Sequence, residues 1–106
     1  MALVNWFDST PVGTKKVEAT LTAENTFSDE FRIKPGTFFN VKAEGTFVGT
    51  VTLQWQFDGT GTFEDYASDD KKWAGTFIHD ESFVIFRIGF KTGDFTSGSV
   101  NVRISQ

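Results

Sequence analysis

Four carboxylates near the middle of the chain are the residues most able to do chemistry. Glu64, Asp65, Asp69 and Asp70 fall within seven residues, and such a density of oxygen ligands suits Ca²⁺. Their spacing matches no EF-hand loop, and acidic loops are common on protein surfaces, so an exposed loop is the favoured interpretation and a Ca²⁺ site the alternative. A glycosidase needs two carboxylates facing each other across a cleft, which acids concentrated in one loop do not indicate.

The one histidine, His79, is followed by Asp80, a neighbour that can orient a general base. No serine lies in a Gly-x-Ser-x-Gly motif, so this base has no recognisable nucleophile to activate. The chain contains no cysteine, which excludes a thiol nucleophile, a disulfide framework and Cys-ligated zinc. A single histidine also excludes multi-histidine metal sites. We therefore predict a non-enzymatic protein without cofactor or metal, and an exposed loop position for His79.

The formal net charge of the 106 residues is −4, and most of it lies in one segment. Residues 58–81 carry seven acids against Lys71 and Lys72, a balance of −5, and the rest of the chain is close to neutral. Because nucleic-acid binding needs clustered lysine and arginine, we predict no nucleic-acid partner. No apolar run approaches the length that spans a bilayer, and residues 1–6 do not resemble a secretion signal. We expect no membrane partner, and synthesis in a cytoplasm.

Alternation of apolar and polar residues dominates the chain from Lys16 onward. Val17, Ala19 and Leu21 alternate with charged or hydroxyl residues, which is the period of a half-buried strand. Similar runs recur at a spacing of roughly ten residues with glycine-rich turns between them, and no stretch keeps a helical period. We therefore predict an all-β fold: an antiparallel β-sandwich, of the jelly-roll or Ig-like type, with about eight short strands.

The clearest strand covers residues 50–57, where four apolar residues alternate with threonine and glutamine. Its apolar face includes Trp55, which we predict to lie in the core, and its polar face is predicted to meet water or a polar partner. Glycine within residues 45–49 predicts a short hairpin before this strand, and residues 92–94 predict a second turn.

The first fifteen residues lie outside the alternating pattern, so we predict an N-terminal arm over residues 1–15 and a single sandwich domain over residues 16–106. The 13 Phe, 3 Trp and 1 Tyr are more than the inner faces of a small sandwich bury. Since large exposed apolar patches mark interfaces, this surplus predicts contact with other subunits or a scaffold. The candidate interface residues are Trp6, Phe7, Phe38, Trp73 and Phe83.

Four stretches, in order along the chain, resemble a group of small virion structural proteins of tailed bacteriophages. The stretches are Gly-Thr-Phe-Val-Gly-Thr-Val-Thr-Leu-Gln at 45–54, Phe-Asp-Gly at 57–59, Phe-Arg-Ile-Gly at 86–89, and Thr-Ser-Gly-Ser-Val-Asn-Val-Arg-Ile at 96–104. The family has Ser-Phe-Asp-Gly-Gly-x-Thr-Trp for the second and Tyr at the start of the third, so this chain departs from it at Gln56, Thr60 and Phe86. The likeness runs from near Phe31 to residue 106.

The resemblance implies a β-sandwich without enzymatic role that coats the capsid or forms part of the head or tail. More narrowly, it implies a homotrimeric decoration or cement protein that binds the major capsid protein and resides on the capsid surface of the virion. The absence of cysteine suits assembly in the reducing host cytoplasm, and the arm can reach a neighbouring subunit through Trp6 and Phe7. The alternative is a tail or head-fibre component that recognises host carbohydrate through Tyr66 and Trp73.

Overall fold

A computed structural model describes residues 15–57, 61–80 and 83–106, and within them seven strands form one antiparallel sheet. No described residue is helical, and so no described segment is a helix able to span a membrane. The all-β prediction is confirmed. The strands are β1 (Lys16–Leu21), β2 (Thr26–Phe27), β3 (Phe31–Arg32), β4 (Phe39–Phe57), β5 (Glu64–Asp69), β6 (Trp73–Phe77) and β7 (Val84–Ser105).

The long strands β4 and β7 pair along almost their whole length and form a ribbon that carries the other strands. We divide the ribbon into two halves. In the first, half A, residues 40–44 of β4 pair with residues 101–105 of β7, and β1 and β6 lie on either side of them. In half B, residues 51–57 pair with residues 84–90, and β2, β3 and β5 flank them. The ribbon therefore joins two small groups of strands.

The ribbon folds back so that half A and half B face each other. Phe39 lies in half A, and Phe86 lies in half B, where it pairs with Trp55. A straight strand from Phe39 to Trp55 would span about 50 Å, yet the ring centroids of Phe39 and Phe86 are 4.7 Å apart. Tyr66 of β5 and Phe77 of β6 meet across the two halves in the same way, at 5.6 Å.

One core fills the space between the halves, and it is built from the inward positions of the alternating pattern. The side chains of Phe39, Phe86 and Phe90 are fully buried in it. The core contains Leu21, Phe31, Ile33, Phe39, Val41, Ala43, Val51, Leu53, Val84, Phe86, Ile88, Phe90, Val100, Val102 and Ile104. Trp55 packs against this cluster but stays partly exposed, so its predicted core position is only partly correct.

The hairpin predicted at residues 45–49 is wrong, because β4 runs continuously through it. The turn predicted at residues 92–94 lies within β7, where the pairing moves from Gly49–Phe95 to Val51–Phe90 and leaves residues 91–94 without a partner in β4. The glycines allow close contact inside the ribbon: a Cβ at Gly45 would lie 2.4 Å from the Ser99 carbonyl oxygen, and one at Gly98 would lie 2.2 Å from that of Thr46. Glycine inside a strand typically marks such a bend or close approach. Four predicted strands thus merge into two.

Candidate functional site

The four carboxylates of the acidic segment do not converge on one point. All four are exposed, and Glu64, Asp65 and Asp69 lie on β5, so the predicted loop is wrong for these three. Asp65 accepts hydrogen bonds from Lys91 at 2.7 Å and from Gln54 at 3.0 Å. Within residues 15–57, 61–80 and 83–106, no three acidic or histidine side chains are grouped so that they could hold a metal ion. The segment is therefore a charged surface with one fixed carboxylate.

Arg87 is the centre of a polar cluster on the outward side of half B. Its guanidinium carbon lies 3.9 Å from the ring centre of Phe27 and 4.0 Å from that of Phe63. Its Nε donates a hydrogen bond of 2.9 Å to Gln54, whose amide nitrogen in turn donates to Asp65. Burial lowers the pKa of Arg87, and a guanidinium still remains charged. A cation between two aromatic rings is stabilised by both ring faces.

Three of the four residues on the polar face of residues 50–57 are buried, so this face meets polar partners within the chain and not water. Thr52, Gln54 and Gln56 have exposures of 1%, 6% and 8%. Their polar groups find acceptors and donors inside the chain: Gln54 bonds to Arg87, and Gln56 Oε1 accepts from the backbone of Gly61 at 2.8 Å. Buried amides need such partners, and the partners come from other strands and loops.

Removing the Asp65–Lys91 ion pair is expected to weaken the fold slightly and in a pH-dependent way. The hydrogen bonds from Lys91 and Gln54 lower the pKa of Asp65, and the bond to Asp65 raises the pKa of Lys91. A lowered carboxyl pKa stabilises the fold above the unfolded-state value, near 4, and this contribution disappears as the pH falls through the folded-state value. The raised lysine pKa adds stability that is lost at strongly alkaline pH.

The measurement is urea unfolding of the wild type and the Asp65→Asn variant at about pH 7 and about pH 2. Both side chains are substantially exposed, 39% for Lys91 and 53% for Asp65, so the expected loss at neutral pH is below about 1 kcal/mol. Asp70→Asn, at an exposed position, is the control and should change nothing. An equal loss at both pH values would contradict the ion-pair account.

His79 lies in the loop after β6, as predicted, but it packs among aromatic rings and is half-buried, so its predicted exposure is wrong. Its ring centroid lies 5.2 Å from Trp55, 6.1 Å from Phe86 and 6.2 Å from Tyr66. These contacts hold the residues that follow β6 against half B. The packing gives the imidazole a structural position between the two halves.

The predicted interface residues fall into three groups. Trp6 and Phe7 lie outside the described residues. Phe38 and Phe83 are strongly exposed, at 62% and 71%. Trp73 is half-buried and packs edge-on against Phe77 at 6.5 Å, with its Nε1 buried and lacking a described hydrogen-bond partner.

Four exposed apolar side chains lie at the end of the molecule where the two ends of the ribbon meet. Phe57 pairs with Val84, which follows Phe83. Phe38 and Ile78 adjoin the Phe39–Phe77 pair, and the backbone of Gly36 donates to that of His79 at 2.9 Å. Phe39 packs on Phe86, and His79 packs on Trp55. Phe38 and Ile78 of half A therefore lie at the same end of the molecule as Phe57 and Phe83 of half B. This apolar end consists of Phe38, Phe57, Ile78 and Phe83, which are 62%, 44%, 45% and 71% exposed.

A groove of about 240 Å³ lies beside the apolar end. It is lined by Trp55 and Phe57, whose ring centroids are 5.3 Å apart, and by Gln56, Thr62 and Glu64. An aromatic floor with carboxylate, amide and hydroxyl groups at its rim suits a small ring-shaped ligand.

Comparison with family models, curated proteins and solved structures finds no match. The functional assignment therefore depends on the residues and on their arrangement.

A second depression, of about 540 Å³, lies on the outward face of half A and is lined mainly by polar residues. It is lined by Glu18, Ala19, Thr20, Lys42, Glu44, Asn101, Val102 and Arg103. Its four charged residues, Glu18, Lys42, Glu44 and Arg103, include two of each sign and give it the character of a solvated face.

Proposed function

We propose that this protein is a bacteriophage virion structural protein, a capsid decoration or cement protein that binds the major capsid protein and stabilises the shell. The observation that carries the proposal is the apolar end, where Phe38, Phe57, Ile78 and Phe83 are all exposed. Large apolar side chains gathered at one place on a small protein are typical of an interface. Their position on a rigid sheet suits a protein that binds without moving parts.

The first described residue, Lys15, lies near the apolar end, which supports the same function. Lys15 lies beside β3: its Nζ donates to the Arg32 carbonyl and sits 4.9 Å from the Phe31 ring centre. Arg32 pairs with Ile85, two residues beyond Phe83. Trp6 and Phe7 lie outside the described residues, and the proposal assigns them to the same contact. Repeated contacts of this kind strengthen one another on a shell.

The narrower fold assignment belongs to the same proposal. The folded ribbon places half A and half B on opposite sides of one core, as the two layers of a β-sandwich are placed. We infer a sandwich in which β4 and β7 contribute to both layers. Such a protein would be made in the host cytoplasm and would lie on the capsid surface, without catalytic role, cofactor or nucleic-acid partner.

Polar substitutions at the apolar end are expected to weaken binding to the shell strongly. The Phe38→Ser/Phe83→Ser variant removes the two most exposed phenyl rings, and buried interface aromatics often account for most of the binding energy. The measurement is co-sedimentation of the purified protein with capsids that lack it. We expect affinity to fall by about 100-fold or more.

Val48→Ser is the matched control, because Val48 is 58% exposed but lies at the bend of the ribbon and not at the apolar end. It should bind like the wild type. A wild-type protein that fails to co-sediment at saturating concentration would contradict the decoration role. Equal binding by all three proteins would show that another surface contacts the shell.

The groove lined by Trp55 and Glu64 favours a second candidate, a tail or head-fibre component that recognises carbohydrate. Of the two aromatic residues predicted for this role, Tyr66 lies 6.3 Å from Trp55, while Trp73 belongs to half A. Titration with host surface polysaccharide, followed by tryptophan fluorescence, separates the two functions. Binding that is lost in Trp55→Ala would favour the fibre component, whereas a cement protein should give no response.

A further inference from the structure

The groove beside the apolar end has an aromatic wall that the fold holds in place. Trp55 lies on β4, and its backbone pairs with Glu64 of β5 on one side and with Phe86 of β7 on the other. Its ring centroid lies 5.2 Å from that of His79 and 6.3 Å from that of Tyr66. The indole is therefore fixed by two paired strands and two neighbouring rings, while part of it remains open to the groove.

Phe57 forms a second wall of the groove. Its ring is inclined at 63° to the indole of Trp55, the ring centroids are 5.3 Å apart, and the residue is 44% exposed. A cation is attracted to an aromatic ring when it lies within about 6 Å of the ring centre. One small cation in the groove is therefore within reach of both rings, and the inclined walls enclose a compact group.

Glu64 places a negative charge beside these rings. It lies directly opposite Trp55 in the antiparallel register, so the two side chains share one face with their Cβ atoms about 5 Å apart. No described basic side chain forms an ion pair with Glu64, and the nearby Lys91 is engaged by Asp65 at 2.7 Å. The Glu64 carboxylate is therefore left to attract a cation towards the two rings.

The other polar groups of the groove favour a methylated cation. Gln56 Oε1 already accepts a hydrogen bond from the backbone of Gly61, and Thr62 supplies one hydroxyl. None of the described residues that line the groove is basic. A primary ammonium carries N–H groups that all need acceptors, whereas a fully methylated ammonium needs none and contacts aromatic rings through its methyl groups.

We propose that this groove binds a small trimethylammonium ion such as choline, with the methyl groups against Trp55 and Phe57 and the charge balanced by Glu64. The groove volume of about 240 Å³ lies below the range of about 300–1,000 Å³ for pockets that hold drug-sized ligands, so it suits an ion of this size. A ligand that also carries a phosphate or carboxylate is disfavoured, because the added negative charge meets Glu64. This inference does not depend on binding to a shell.

NMR titration of the isotope-labelled protein at constant ionic strength tests the site. The probes are choline, phosphocholine and the uncharged carbon analogue of choline, in which a tert-butyl group replaces the trimethylammonium group. The amide resonances of Phe57 and Glu64 detect binding at the groove, and the spectrum shows that each variant is folded. We expect choline to bind with a Kd of about 1–10 mM and the carbon analogue at least about tenfold more weakly. Phosphocholine should bind at least about threefold more weakly than choline.

Two variants separate the contribution of the ring from that of the charge. Phe57→Leu keeps an apolar side chain without an aromatic face and should weaken choline binding by about fivefold. Its matched control is Phe38→Leu, since Phe38 is exposed but does not line the groove. Glu64→Gln keeps the size of the side chain without its charge and should weaken binding by about threefold or more. Its matched control is Glu44→Gln, an exposed glutamate on the outward face of half A.

Both controls should bind choline like the wild type. Equal binding of choline and its carbon analogue would show a merely apolar groove and overturn the proposal, as would no response to choline at about 50 mM. Phosphocholine binding as tightly as choline, or Phe57→Leu and Glu64→Gln binding as tightly as their controls, would overturn it too. Capsid co-sedimentation is scored separately, so failure there leaves this result intact.

Discussion

Replacing Phe86 with alanine is expected to lower the free energy of unfolding by about 3–5 kcal/mol. Its side chain is fully buried, and its ring centroid lies 4.7 Å from Phe39 of half A and 5.1 Å from Tyr66 of half B. The substitution therefore leaves a cavity where the two halves meet. Because domains of this size are stable by only about 5–15 kcal/mol, the loss is a large part of the total. Urea unfolding followed by circular dichroism measures it.

Phe38→Ala is the control for this measurement. Phe38 precedes Phe39 in sequence, is 62% exposed and contributes little to the core, so its loss should change the unfolding free energy by less than about 0.5 kcal/mol. If Phe86→Ala cost less than about 1 kcal/mol, half A and half B would not be held together through this ring, and the folded ribbon would be the wrong description.

The alternation of apolar and polar residues was sufficient to predict the all-β fold and most of the residues that the strands bury. Leu21 of β1, Val41 of β4 and Val102 of β7 are buried as their alternation predicts. This worked because each strand has one face on the core, so burial follows directly from position along the strand. The pattern carries no information about which strand lies beside which, and the ribbon could not be predicted from it.

The glycines were misinterpreted for the same reason. Gly45 and Gly49 would permit a hairpin as readily as a bend within a strand, since both need a residue without a side chain. What decides between them is the partner: Gly45 pairs with Val100 and Phe47 with Gly98, more than 50 residues away in sequence. Only the long-range pairing shows that the chain continues through this segment.

The polar cluster was missed because its members are distant in sequence and each looks ordinary alone. Gln54 belongs to an apparently solvent-facing row, and Arg87 is a single basic residue on an apolar strand. Together with Phe27 and Phe63 they form a partly buried layer outside the core. Sequence alternation distinguishes apolar from polar faces but does not show that a polar face is covered.

The surplus of aromatic residues predicted an interface, and two of its candidates, Phe38 and Phe83, are exposed at the apolar end. Phe57 and Ile78 were not selected. Phe57 lies on the apolar face of the clearest strand, which predicts burial, yet it is the last residue of β4 and extends beyond the core. A strand pattern gives the direction of a side chain but not the point where the opposing layer ends.

Gly98→Ala is expected to lower the free energy of unfolding by about 3–4 kcal/mol, the second large effect. Gly98 has a φ of +94°, and a Cβ there would lie 2.2 Å from the Thr46 carbonyl oxygen and 2.7 Å from the Phe47 Cα. Both contacts are backbone atoms of the paired strand β4, so no side chain can rotate to relieve them. The two strands of the ribbon would have to separate at the bend between half A and half B.

Gly93→Ala isolates this effect, because Gly93 has nearly the same φ, +87°, and a Cβ there meets no atom within 4 Å. Its cost should be that of the left-handed backbone alone, about 1–2 kcal/mol. The difference between the two variants, measured by urea unfolding under one set of conditions, is therefore the cost of close approach in the ribbon. Equal losses at both glycines would mean that β4 and β7 do not approach closely at Gly98, and that the bend is not held by glycine.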